Sequence, residues 1–107
     1  MADLWGALAQ VIPAATTLTT GYTVPAAKRG TVEVIICNRG GAATVRLSHA
    51  IGGAADTGAQ YLLYDFVVPA GETKVTARIT VAATDVIRVY STTATVAFNI
   101  NGIEEDA

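Results

Sequence analysis

The chain has 107 residues, 51% of them hydrophobic and 15% charged, with a formal net charge of −2. That length makes one domain with a single core. The charge is too low and too scattered for a nucleic-acid surface, which needs clustered Lys and Arg to neutralise phosphates. Cys37 is the only cysteine and His49 the only histidine, which excludes an intramolecular disulfide and is too small a set for zinc.

The N-terminal segment, with Asp3 near its start and no basic region before a short apolar stretch, is not a secretory signal. Asp3 can cap a short helix in which Leu4, Leu8 and either Val11 or Ile12 share a stripe, with Trp5 beside it. Residues 1–15 therefore read as an arm, joined through Pro13 to a single domain over 16–107. The arm either lids one end of the core or packs on another subunit, where an aromatic anchor such as Trp5 is favoured.

From residue 16 onward, turn signals recur about every 8 to 12 residues between runs rich in β-branched side chains. Strands are predicted near 16–24, 31–37, 43–50, 60–68, 73–80, 85–91 and 94–102. Pro25 and Pro69 mark strand ends, because neither could donate to a central ladder. They belong to a repeated element, Tyr22-Thr-Val-Pro-Ala-Ala-Lys and Phe66-Val-Val-Pro-Ala-Gly-Glu. A second echo, Ala43-Thr-Val-Arg-Leu and Ala94-Thr-Val-Ala-Phe, points to two related β-rich halves. The glycine-rich stretch from Gly52 to Gly58 reads as a long flexible loop. Gly102 to Ala107 reads as an exposed acidic tail.

Period-two alternation sets the faces. Val45, Leu47 and His49 oppose Arg46 and Ser48; Val75, Ala77, Ile79 and Val81 oppose Lys74, Thr76, Arg78 and Thr80; Val96, Phe98 and Ile100 oppose Thr95, Ala97 and Asn99. The same rule places Leu62, Tyr64, Phe66 and Val68 on an inward face. In Val32 to Cys37, Ile35 joins Cys37 on the face opposite Val32, Val34 and Ile36, which marks a central strand covered on both sides, a neighbouring chain being one candidate cover. The fold class is all-β: an antiparallel β-sandwich, jelly-roll or Greek-key like, of seven strands, or eight with a short one near the N-terminus. The Cys…Trp…Cys spacing of immunoglobulin domains is absent.

No arranged chemistry emerges. Ser48 and His49 are adjacent on a strand and point to opposite faces. Ser91 has no nucleophile-elbow glycines around it. The Gly52–Gly58 stretch lacks the Lys-Ser/Thr ending of a phosphate loop, and no D-x-D-x-D-G calcium loop occurs. The chain is not expected to be an enzyme, and no metal, cofactor or membrane is implied; no apolar run approaches the roughly 20 residues of a membrane-spanning helix. His49 reads as a core-edge or interface residue with a satisfied ring, and Cys37 as a buried inert thiol suited to a reducing cytosol.

One resemblance adds to these readings. Thr17-Leu-Thr-Thr-Gly-Tyr-Thr-Val-Pro-Ala-Ala-Lys-Arg-Gly-Thr-Val, then Ile36-Cys-Asn-Arg, Ala43-Thr-Val-Arg-Leu, Tyr61-Leu-Leu-Tyr-Asp and Asp85-Val-Ile-Arg-Val-Tyr resemble small virion structural proteins of tailed bacteriophages. The likeness runs from about residue 9 to 103, on strand and turn signatures. The family pattern has Gly after Val-Pro-Ala, and this chain has Ala27 at the first copy and Gly71 at the second. The resemblance implies a β-sandwich made in the bacterial cytoplasm and assembled in many copies on the virion.

The expected function is capsid decoration or cementing by a symmetric homo-oligomer such as a trimer, with the major capsid protein or other virion proteins as partners. Tail, neck or fibre structure is the near alternative. A carbohydrate-binding module, stacking sugars on Trp5 and the tyrosines, is the alternative from another class. The expected protein-interface residues are Leu4, Trp5 and Leu8 of the arm, Arg39 in the 38–41 loop and Asp56 in the 52–59 loop.

Overall fold

Alternating apolar residues need a partner surface, and this chain provides it by packing two antiparallel sheets face to face. The computed structural model describes residues 4–106, with the backbone alone for Leu4. The strands are β1 (Leu4–Val11), β2 (Thr19–Thr23), β3 (Lys28–Asn38), β4 (Ala43–Ala50), β5 (Tyr61–Val68), β6 (Thr73–Val75), β7 (Ile79–Val81), β8 (Val86–Ser91) and β9 (Val96–Asp106). Sheet A runs β1-β9-β3-β6, with β7 also on β3; sheet B runs β2-β8-β4-β5. β6 and β7 lie in succession along one edge of β3. Counted as one interrupted strand they bring the total to eight, and the strand order is that of a jelly roll.

Along β3, β4 and β9 the core is where the alternation put it. Val32, Val34 and Ile36 of β3, with Phe98 and Ile100 of β9, pack in one cluster with Val45, Leu47, Ile87 and Val89 of sheet B. β3 and β9 pair over eleven residues, from Lys28↔Asp106 to Asn38↔Val96. Gly30 and Gly102 permit their close approach: a Cβ at Gly102 would lie 2.0 Å from the Thr31 carbonyl oxygen, and one at Gly30 2.3 Å from that of Ile103.

The repeated Val-Pro element has one role used twice. Val24-Pro25 and Val68-Pro69 follow β2 and β5, the two edge strands of sheet B, where the chain crosses to sheet A. Lys28 N–H donates to the Pro25 carbonyl and Glu72 N–H to that of Pro69. The third residue of each turn is left-handed, Ala27 at φ 65° and Gly71 at φ 72°. Ala27 thus keeps the glycine geometry at a steric cost its counterpart avoids.

Four expectations are corrected. Residues 4–11 form strand β1, antiparallel to β9, and not a helix; Asp3, its expected cap, lies outside the described residues. A helix this short is marginal in water, whereas the strand completes the ladder along β9. The predicted strand 73–80 breaks because the backbone and Oγ1 of Thr76 take both backbone groups of Val34, so Val75 and Ala77 end up exposed. β5 shifts register against β4 twice, with Asp65 left-handed, so Leu63 turns toward the core and Leu62 and Tyr64 turn to solvent. Residues 102–106 are not a free tail but the end of β9. There Lys28 meets Asp106 at 2.6 Å, Arg29 meets Glu105 at 3.2 Å, and Tyr22 donates its phenol hydrogen to Glu104. Burial, with that bond to Glu104, raises the Tyr22 pKa far above the ordinary phenol value.

Candidate interaction surface

A sandwich has two outer faces, and here they differ in kind. On sheet B, Ser48, Ala50 and Val86 point outward yet are buried, because residues 51–60 fold back over them. Arg88 fastens that segment, donating to the carbonyls of Gly53 and Ala54 at 3.0 and 2.7 Å and to Asp56 at 2.8 Å. Asp56 also accepts from Ser48 Oγ at 2.8 Å. The loop expected to be flexible is therefore pinned. The Asp56 side chain, 5% exposed, is turned into the protein and does not present itself to a partner.

The charges on the rest of that face are matched within the chain, although Tyr64 and Val67 of β5 and Ile51 of the folded-back segment stand exposed. The Arg46 guanidinium lies over the rings of Tyr64 and Tyr90, 4.3 and 4.8 Å from their centroids, and its Nε donates to Asp65 at 2.7 Å. Tyr61 meets Tyr64 edge-on at 4.9 Å. At the end of the sandwich, His49 Nε2 donates to Asp85 at 2.8 Å, and the same carboxylate accepts from the backbone N–H groups of Gly52 and Ala82. Burial alone would raise the Asp85 pKa; the two N–H donors and His49 outweigh it and hold the carboxyl below its ordinary value. Ser48 and His49 thus serve different carboxylates on opposite faces, and no relay joins them. Among the described residues, no three of His, Cys, Asp and Glu group as metal ligands.

The outer face of sheet A has no such cover. Between the Arg29–Glu105 pair at one end and Arg39 at the other, the outward rows of β3, β9 and β1 carry a single charged residue, Glu33. Ile35, Cys37, Ala97, Asn99 and Ile103 make up much of the remainder, with Val75 53% exposed beside Ile35. Cys37 is half-buried on this face and not sunk in the core. β3 was expected to be covered on both sides; this chain covers only the inner one. Trp5 stands 74% exposed on the outermost strand, opposite Ile103.

Open grooves cross this face. One, of about 380 Å³, lies beside Trp5 and is lined by Thr31, Glu33, Arg78 and Asn101. Another, of about 600 Å³, lies at the far end of β1 between Gln10, Ile12, Arg39, Ala97 and Asn99. The expected interface residues are divided accordingly. Trp5 and Arg39 are exposed on the sheet A side; Leu8 is partly buried against the core; the Leu4 backbone starts β1 opposite Glu104; Asp56 belongs to sheet B. Val75 and Ile12 join the surface without having been expected there. Only the break in the 73–80 strand turns Val75 outward, and no local signal announces that break.

No family model, curated protein or solved structure matches this chain.

Proposed function

We propose that this chain is a structural protein of a tailed-bacteriophage particle, made in the host bacterial cytoplasm and acting as a capsid decoration or cement protein. The observation that carries the reading is the contrast between the outer faces. Sheet B has its charges matched by its own loop and ion pairs, whereas sheet A leaves its outer face without such a cover, with Trp5 and Val75 projecting from it. Apolar surface of this kind marks a protein-interaction site. Spread over many copies, interfaces of roughly 1,600 Å² each would add contact across the joints of a shell. The strand and turn resemblance to small phage virion proteins agrees with that use.

The decisive assay is binding to purified capsids. A Trp5→Ala, Val75→Glu double variant is expected to lose binding while keeping its β-sheet circular dichroism; undiminished binding overturns the reading. Copy number separates capsid from tail or neck: hundreds per particle fits decoration, a dozen or fewer fits the alternative.

A second reading, glycan binding, draws on Tyr64, which is 59% exposed and borders a groove with Tyr61, Thr57 and Gly58. It requires that the isolated protein bind a glycan and that Tyr64→Ala abolish the binding. Silence across a broad glycan array would dismiss it.

A further inference from the structure

Edge strands expose a row of unpaired backbone N–H and C=O groups, and monomeric proteins blunt them with charges, prolines or short length. β6 and β7 are three residues each, and β6 carries Lys74 at its centre. β2 is five residues with a register shift, and β5 carries Asp65 and two shifts. β1, the remaining edge, is eight residues long, Leu-Trp-Gly-Ala-Leu-Ala-Gln-Val, with no charge and no proline. Its irregularities are Gly6 at φ 115° and the register shift against β9 between Ala7 and Ala9.

That shift has a geometric consequence. In a regular strand, residues five apart point to opposite faces. Here Trp5 lies opposite Ile103 and Gln10 opposite Asn99, two positions of β9 on the same outward row. Trp5 and Gln10 therefore share a face, one at each end of β1. The exposed indole stands at the first end; the groove of Gln10, Ile12, Arg39, Ala97 and Asn99 opens at the second.

We infer that β1 pairs antiparallel with β1 of a second copy of this chain, about a two-fold axis through the middle of the strand. Full overlap of residues 4–11 places residue 4 opposite 11, 5 opposite 10 and 6 opposite 9, and the central bulge makes each of these pairs share a face. Each Trp5 then lies beside the partner's Gln10 and enters the partner's groove, reciprocally, as an isologous interface requires. No like charges meet across the axis, because the strand has none. Arg39, which forms no ion pair among the described residues, comes to the indole, a favourable cation–π partner. A strand from another protein could satisfy the edge, but not both knob and groove at once. The two tryptophans bring roughly 150–250 Å² each. With Ile12 and both strand edges the total is on the order of 1,200 Å², the lower end for a specific stable interface. The pairing joins two A sheets into one continuous outer face. It rests on the same uncovered surface as the proposed function, but not on the identity of the particle.

Trp5 is the only tryptophan and so reports on its own burial. Analytical ultracentrifugation of the intact protein over micromolar to millimolar concentration is expected to show a monomer–dimer equilibrium. The indole emission should shift to the blue, and lose its quenching by acrylamide, in step with the dimer fraction. Trp5→Ala, and Ala97→Phe, which fills the groove, should each weaken the dimer at least tenfold, while Arg46→Ala on the opposite face leaves it unchanged. A monomer throughout, a trimer, or a dimer insensitive to both Trp5→Ala and Ala97→Phe overturns the pairing. Capsid binding is scored separately: a monomeric protein that still binds capsids defeats the pairing and leaves the functional reading intact, whereas a dimer that ignores capsids does the reverse.

Discussion

The two outer faces of this sandwich are built from similar strands and end in opposite conditions. Sheet B carries Arg46, Arg88, Asp56 and Asp65 on or over its outer face, and each charge is matched within the chain. Among the described residues no buried side-chain polar atom is left without a partner. Sheet A carries Glu33 in its centre with Arg78 beside it at the groove, and otherwise apolar and amide side chains. A face whose charges are matched gains less by being covered, since a partner would have to desolvate those charges. A face of Ile35, Val75, Ile103 and Trp5 gains hydrophobic free energy from any complementary cover. The difference assigns stability to one face and association to the other.

Substitutions should divide along the same line. The largest effect belongs to sheet B: Arg88→Ala leaves Asp56 buried and unmatched, and should cost about 3 kcal/mol in urea unfolding, with new protease cleavage between residues 51 and 60. Loss of less than about 1 kcal/mol would mean that the loop does not depend on its clasp. Next comes Asp85→Asn at the sandwich end, expected to cost about 2 kcal/mol at neutral pH. Because the folded carboxyl titrates below the unfolded one, its contribution is complete above the unfolded value of about 3.9 and fades as pH falls through the folded value. The gap between the parent and the Asn variant should therefore narrow only in acid, and a gap that widens below pH 4 would contradict the assignment.

Smaller still, Ala27→Gly touches neither face and relieves the left-handed turn between the sheets. A gain of up to about 1 kcal/mol is expected, and thermal unfolding would register it as a rise of several degrees. The smallest effect on stability should come from the most important residue for association. Trp5→Ala is expected to move the unfolding free energy of the monomer by no more than about 0.5 kcal/mol, measured at concentrations too low for self-association. A cost near 3 kcal/mol would make Trp5 part of the fold and erase the contrast between the faces.

Much of the fold was legible in sequence because turns and alternation are local. The breaks at Pro25, Asn38 and Pro69 and the alternation through Val45-Arg-Leu and Val96-Ala-Phe found their strands and core faces. β5 was misread because its register shifts against β4 depend on the neighbouring strand. The acidic residues 104–106 and the basic pair Lys28-Arg29 are complementary, but separation by some 76 positions concealed the match. Of the expected interface residues, Trp5 and Arg39 lie exposed beside the sheet A grooves, whereas Asp56 looked exposed only because a glycine-rich loop says nothing about what lies beneath it.

By itself, the order of residues determined that this chain would be a charge-poor β-sandwich, since strand periodicity and turn chemistry act over a few neighbouring positions. Tertiary structure alone decided which outer face would be completed from within and which left open. That outcome turns on where one loop folds, on a bulge that sets Trp5 and Gln10 on the same side, and on a register that joins the two ends of the chain. Each is a relation between segments distant in sequence, fixed only when the sheets pack.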